Sequence, residues 1–158
     1  MAHAARRDVA GAIYGLILAT SVIAVSRQYT QDAAVTAVTV VVTAAVFWLA
    51  HVYAGAAAIA IRKGHMPSRR EVRGIVEEEW PLVQSGVLPT IILLLGPLGI
   101  LADDTAQDAA LAACLVELAA IGLMVGRAAR ARGILVALSC AISLSFGVVI
   151  VVLKVLVH

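Results

Sequence analysis

The sequence predicts an all-α fold: a polytopic membrane protein, a bundle of five transmembrane helices with a short amphipathic cytoplasmic helix between spans two and three. Hydrophobic residues make up 62% of the chain and charged residues 14%, whereas soluble domains run nearer half apolar and a quarter charged. The apolar residues come in blocks of about 20, the length a helix needs to cross a hydrocarbon core of roughly 30 Å. These blocks are continuous rather than alternating. Helices are therefore favoured over a barrel, because backbone groups in lipid must be paired internally.

The first span is expected at about residues 9–26, following Arg6 and Arg7, and is read as a retained span rather than a signal peptide. A polar hairpin, 27–32, leads to the second span at about 35–61, long enough to tilt or to protrude from the bilayer. Residues 62–81 form the sizeable soluble element, with five basic residues (Arg62, Lys63, Arg69, Arg70, Arg73) and four acidic ones (Glu71, Glu77, Glu78, Glu79). Within it Ser68 precedes Glu71 by three residues, a capping-box spacing. Val72, Ile75, Val76 and Trp80 follow at helical intervals. An amphipathic helix is expected from about residue 69 to Trp80, stopped by Pro81, with its apolar face sheltered and its glutamates exposed.

The third block, 82–102, is interrupted by Pro89 and by Gly96-Pro97, which kink or end a helix. An acidic loop with Asp103, Asp104 and Asp108 precedes the fourth block at 109–126, and Arg127, Arg130 and Arg132 separate it from the fifth at 134–157. The whole forms one membrane domain. With the N-terminus in the cytoplasm and the C-terminus outside, ten Lys and Arg lie inside and only Arg27 and Lys154 outside. Short cytoplasmic loops carry that excess in the plasma membrane. Cys114 and Cys140 each sit inside an apolar block and read as small core residues, not as a disulfide framework.

Ionisable groups deep in a bilayer are costly, so each needs a reason. Glu117 lies ten residues before Arg127 and His51 eleven before Arg62. At about 1.5 Å per residue both fall roughly 15–16 Å below the cytoplasmic boundary. The same reckoning brings Thr90 and Ser143 to nearly that depth. A polar layer of His51, Glu117, Thr90 and Ser143 is the candidate transport site. An imidazole and a carboxylate can relay protons or hold a cation; the competing reading is a buried polar pair that only fastens helices together.

Glu71, Glu77, Glu78 and Glu79 are candidate ligands for a divalent metal ion, with His65 and Met66 nearby, set against a solvated charged face paired with Arg70 and Arg73. Small residues recur every fourth position at Gly11, Gly15 and Ala19, at Ala50, Ala54 and Ala58, and at Gly122 and Gly126. Such spacing lets helix backbones approach closely, and the first stripe is the candidate seam of a homo-oligomer. The sequence holds no nucleophile constellation, phosphate-binding glycine loop or nucleic-acid patch, so an enzyme is not expected.

The order of parts resembles the vacuolar iron transporter family. Five spans, an internal N-terminus, a second helix prolonged into a Glu-bearing segment and a Pro opening the third span carry the likeness. Local matches are Tyr14-Gly15, Gly55, Trp80-Pro81 and the stretch from Gly122 to Arg127. The resemblance implies a dimer. Leu18 and Ala56 stand about where that family carries membrane carboxylates, and its cytoplasmic metal-binding region is longer than the segment here, so its iron-pathway residues do not carry over. Two functions follow as expectations. One is an oligomeric cation or proton transporter or channel with a midplane polar site. The other is a non-transporting accessory or scaffold protein that binds a partner or anionic lipid through its cytoplasmic helix.

The topology is directly testable. Single cysteines at Ser68 and Thr105, in a background without Cys114 and Cys140, are expected to label from opposite faces of intact cells; labelling of both from one side excludes five spans.

Overall fold

The computed structural model describes residues 2–128, with side chains for 9–127, and residue 145. Five helices follow in order: α1 (Ala2–Tyr29), α2 (Ala33–Lys63), α3 (Arg69–Gln84), α4 (Val87–Leu94) and α5 (Asp103–Ala128), with no strand among the described residues. Val9–Tyr29, Ala33–Lys63 and Asp103–Arg127 are long and apolar enough to cross a membrane. They contain the first, second and fourth predicted blocks. The predicted fifth block, 134–157, lies outside the described residues, as do Cys140 and Ser143.

Local chemistry sets the helix ends. Asp32 caps α2 by accepting from the backbone N–H groups of Ala34 at 2.8 Å and Val35 at 3.2 Å. At the other end Gly64 adopts φ 72°, a left-handed conformation suited to glycine, and its N–H donates to Ala60 O at 2.9 Å. At 31 residues α2 is about 46 Å long, well beyond a hydrocarbon core. Ser68 and Glu71 form the predicted capping box at the start of α3.

Pro81 does not stop α3, which runs three residues further to Gln84. A proline forfeits one N–H and crowds the preceding turn, but its carbonyl still accepts, here from Ser85 N at 3.2 Å. The chain breaks instead at Ser85 and Gly86, and α4 restarts with Pro89 in its first turn, where a missing N–H costs nothing. Neither α3, of 16 residues, nor α4, of 8, crosses a bilayer by itself. The third block is thus a broken passage made of the end of α3, α4 and the turns that follow.

Together α3 and α4 run antiparallel to α2 along its full length. Lys63 pairs with Glu71, Gly55 meets Ile75, Trp48 and Trp80 form a T-shaped ring pair at 6.1 Å, and Gly96 abuts Ala33. Against α1, α5 is also antiparallel, with Arg27 paired to Asp108 at one end and Ala12 and Met124 lining a common cavity at the other. The core lies where α1, α2, α4 and α5 converge and includes Leu16, Ile23, Val40, Leu93 and Leu118. Buried Thr20 and Thr36 satisfy their hydroxyls on the carbonyls four residues back, at 2.7 and 3.1 Å.

The stripe read as an oligomer seam is used inside the chain. A Cβ at Gly15 would fall on Leu82 O and Ser85 Oγ, and one at Gly11 would touch Leu82 N at 3.4 Å and Pro81 Cβ at 3.5 Å. Ala19 is buried in the core. The three residues seat α1 against α3 and against the core, so this face is not available to a second copy. The Ala50, Ala54 and Ala58 stripe of α2 is exposed, beside Val46, Leu49 and Tyr53.

Gly15→Leu is therefore expected to lower thermal stability by about 1–3 kcal/mol, the usual cost of forcing extra atoms into a packed contact, with no change of mass in detergent. Gly11→Ala, where the added methyl meets ordinary contact distances, is expected to be nearly neutral. Thermal unfolding of both variants, alongside light scattering, checks the pair.

Candidate functional site

Within α3, Ile75, Glu78, Glu79 and Leu82 occupy positions i, i+3, i+4 and i+7, one continuous face of a helix. Ile75 and Leu82 are buried, and their anchoring draws the two glutamates between them toward α1 and α2. Glu78 and Glu79 line a cavity of about 210 Å³ with Ala10, Gly11, Tyr14, His51 and Leu82. The expectation of exposed glutamates holds for Glu77 and Glu78, whereas Glu71 and Glu79 are half-buried. The continuation of this face was in the sequence: Leu82, one residue past Pro81, extends the apolar side, and reading the helix as ending at Pro81 hid it.

His51 enters the cavity from α2. Its Nδ1 lies 2.9 Å from Phe47 O, an acceptor only, so Nδ1 carries the proton and Nε2 is the nitrogen left to take up another. Rings on two sides hold the imidazole, Tyr14 at 6.5 Å and Phe47 at 6.4 Å between centroids. The cavity therefore brings together an imidazole, a phenol and two carboxylates where three helices meet. Such a set can accept, hold and pass a proton or bind a small cation.

Glu117 is elsewhere. It lines a second cavity, of about 360 Å³, with Ala12, Leu16, Pro81, Gln84, Ser85, Ala120, Ile121 and Met124. The crossing of α1 and α3 at Gly11 and Gly15 stands between the two cavities. His51 and Glu117 thus do not share one site, and equal depth along two helices did not imply a common face. Thr90 lines a third, apolar cavity of about 400 Å³ between α2 and the broken passage, with Trp48, Trp80 and Val87. Its hydroxyl is spent on Gly86 O at 2.6 Å. The predicted polar layer is dispersed over three cavities, and Ser143 lies outside the described residues.

The proposed metal ligands do not converge either. Glu71 is committed to the capping box and to Lys63, Glu77 accepts from Arg73 Nε at 2.8 Å, and Glu78 and Glu79 face the His51 cavity. His65 Nδ1 bonds to Met66 O at 2.9 Å. Among the described residues no three His, Cys, Asp or Glu side chains gather closely enough to hold a metal ion. The physical reason is helical phase: positions 71, 77, 78 and 79 point around most of the circumference of α3.

At the opposite end of the bundle, Gln107 is fully buried, with Nε2 3.5 Å from Thr30 O and no hydrogen-bond partner for Oε1 among the described residues. Beside it Arg27 pairs with Asp108. These contacts tie the 30–32 loop to the start of α5, and sequence periodicity gave no hint of them. Comparison with protein-family models, curated proteins and solved structures finds no match for this chain.

The lysine ammonium and the Ser68 N–H and hydroxyl that donate to Glu71 hold its carboxyl well below the usual range, at about 2. Because the folded-state value is depressed, the contribution of this cap to stability is fully present above the ordinary carboxylate value of 4.5 and is lost as pH falls through about 2. Amide exchange at residues 68–72 is thus expected to stay protected down to about pH 3, and Lys63→Met is expected to move the loss of protection to higher pH. Equal acid sensitivity in both proteins excludes the pairing.

Proposed function

We propose that the chain is a multi-pass protein of the plasma membrane with five spans and a cytoplasmic N-terminus, working as a homo-oligomer that conducts protons or small cations. One observation carries the reading: His51, Tyr14, Glu78 and Glu79 are gathered around one cavity in a bundle otherwise written for lipid. The asymmetry of charge supports the orientation. Arg62, Lys63, Arg69, Arg70, Arg73 and Arg127 lie at one end of the bundle, and Asp32, Asp103, Asp104 and Asp108 at the other. The cavity lies between α1, α2 and α3, and the paired ends of α2 and α3 at Lys63 and Glu71 belong to the basic end. It then serves as the cytoplasmic vestibule of the pathway, with His51 as the innermost proton carrier.

A dimer formed through α2 would use the exposed Ala50, Ala54 and Ala58 stripe, since small residues permit the close backbone approach that drives helix pairing in lipid. A second reading has its own observation. Arg69, Arg70 and Arg73 are exposed on the first turns of α3, a basic surface suited to anionic headgroups. On that reading the protein is a scaffold without flux.

Proton uptake into liposomes carrying a pH-sensitive dye, driven by a potassium diffusion potential, separates the two. The transporter reading expects uptake by the wild type that falls at least tenfold in His51→Ala and in Glu78→Gln/Glu79→Gln, both variants keeping wild-type helicity. Absence of uptake in the wild type, with binding to anionic vesicles that weakens when Arg69, Arg70 and Arg73 are changed to Gln, establishes the scaffold instead.

A further inference from the structure

The Glu117 cavity plays no part in the pathway proposed above, and its chemistry is distinct. Its polar contributors are one carboxylate from Glu117, the amide of Gln84 and the hydroxyl of Ser85, while Ala12, Leu16, Pro81, Ala120, Ile121 and Met124 supply apolar walls. The hydroxyl is already engaged, donating to Leu82 O at 2.9 Å. Among the described residues Glu117 makes neither a salt bridge nor a hydrogen bond, and the nearest basic residue along its own helix is Arg127, ten positions away. A carboxylate in this setting needs a positive partner to offset what it loses by leaving water.

We propose that this cavity binds a small organic cation, an ammonium group carrying apolar substituents. Three considerations select that class. The volume, about 360 Å³, falls at the lower end of the range typical of small-molecule pockets, about 300–1,000 Å³. A bare hard cation fits poorly, because calcium takes six to eight oxygen ligands and magnesium near-ideal octahedral geometry, and this cavity offers few oxygens among many carbons. An alkylammonium instead places its charge on Glu117 and its carbons on Leu16, Ile121 and Met124, so charge and apolar surface are both matched. Ten residues of helix separate Glu117 from Arg127, roughly 15 Å at 1.5 Å per residue. That depth lies below the lipid headgroups and favours a free cation over a lipid amine.

Tetraethylammonium is a suitable probe, titrated by calorimetry into the full-length protein in phosphatidylglycerol nanodiscs, which contain no lipid amine. The wild type is expected to bind saturably, Glu117→Gln at least tenfold more weakly, and Glu77→Gln, at a surface carboxylate paired with Arg73, as the wild type does. Ala12→Leu, which fills the cavity while leaving the carboxylate in place, is expected to abolish binding and keeps the test decisive should Glu117→Gln fail to fold. Sodium chloride at equal ionic strength is expected not to compete. Lack of saturable binding by the wild type, or affinity unchanged in both Glu117→Gln and Ala12→Leu, overturns the proposal. Loss of wild-type binding in nanodiscs supplemented with phosphatidylethanolamine would assign the cavity to a lipid amine and likewise overturn it.

Discussion

The close approach of α1 to α3 at Gly15 is the contact on which the rest of the arrangement depends. There the helix axis of α1 comes so near that the carbonyl of Leu82 occupies the space a side chain would need. In lipid no hydrophobic force presses helices together, so association relies on packing and on backbones brought close by small residues. Everything on α3 is placed by this seat. Leu82 is buried under α1, Ile75 lies against Gly55 of α2, and the two glutamates between them are carried to the wall of a cavity. The cost of bringing carboxylates there is offset by many apolar contacts on the same helix face, a cooperative arrangement that no single pair interaction would support.

The same seat explains why the chain holds separate cavities rather than one central layer. An α1 packed tightly along α3 acts as a partition, with α2 on one side and α5 on the other. At the level of that crossing His51 of α2 and Glu117 of α5 therefore line different cavities, although the two helices meet in the core nearer the other end. Among the described residues three openings differ in character, each bounded by three helices: one rich in ionisable groups, one with a lone carboxylate, and one almost wholly apolar. This division assigns different chemistry to each and makes a single proton wire from His51 to Glu117 physically implausible.

Much of the fold was legible because its determinants are local. Block length and hydropathy located three long helices, and Ser68 with Glu71 marked the start of α3; Asp32 and Gly64, which cap α2, emerge only from the structure. Pro81 misled because a proline forbids one hydrogen bond without forbidding the next turn, and tertiary packing of Leu82 repaid the loss. The small-residue stripe was recognised as a packing face, but spacing cannot name the partner, and the partner proved to be α3 of the same chain. The site was less legible still. Depth along a helix follows from counting, whereas the direction in which a side chain faces depends on the rotation of each helix about its axis, set by contacts far apart in sequence. Thus His51 and Glu117, singled out by depth, line different cavities.

The distribution of polar groups follows from how each is compensated. Threonines 20, 36, 39, 43 and 90 return their hydroxyls to carbonyls four residues back, so they cost little in an apolar bundle and carry no recognition. Charged groups at the bundle ends find partners at hand, as Arg27 does in Asp108, Lys63 in Glu71 and Arg73 in Glu77. Other polar groups face cavities: His51, Glu78 and Glu79 line one, and Glu117 lines another. A hydroxyl can satisfy itself within its own helix turn and a terminal charge can pair across a loop, but a carboxylate held in an apolar span can do neither. It must be matched from outside its helix, and for Glu117 the space left for such a match is the cavity it lines with Gln84 and Ser85.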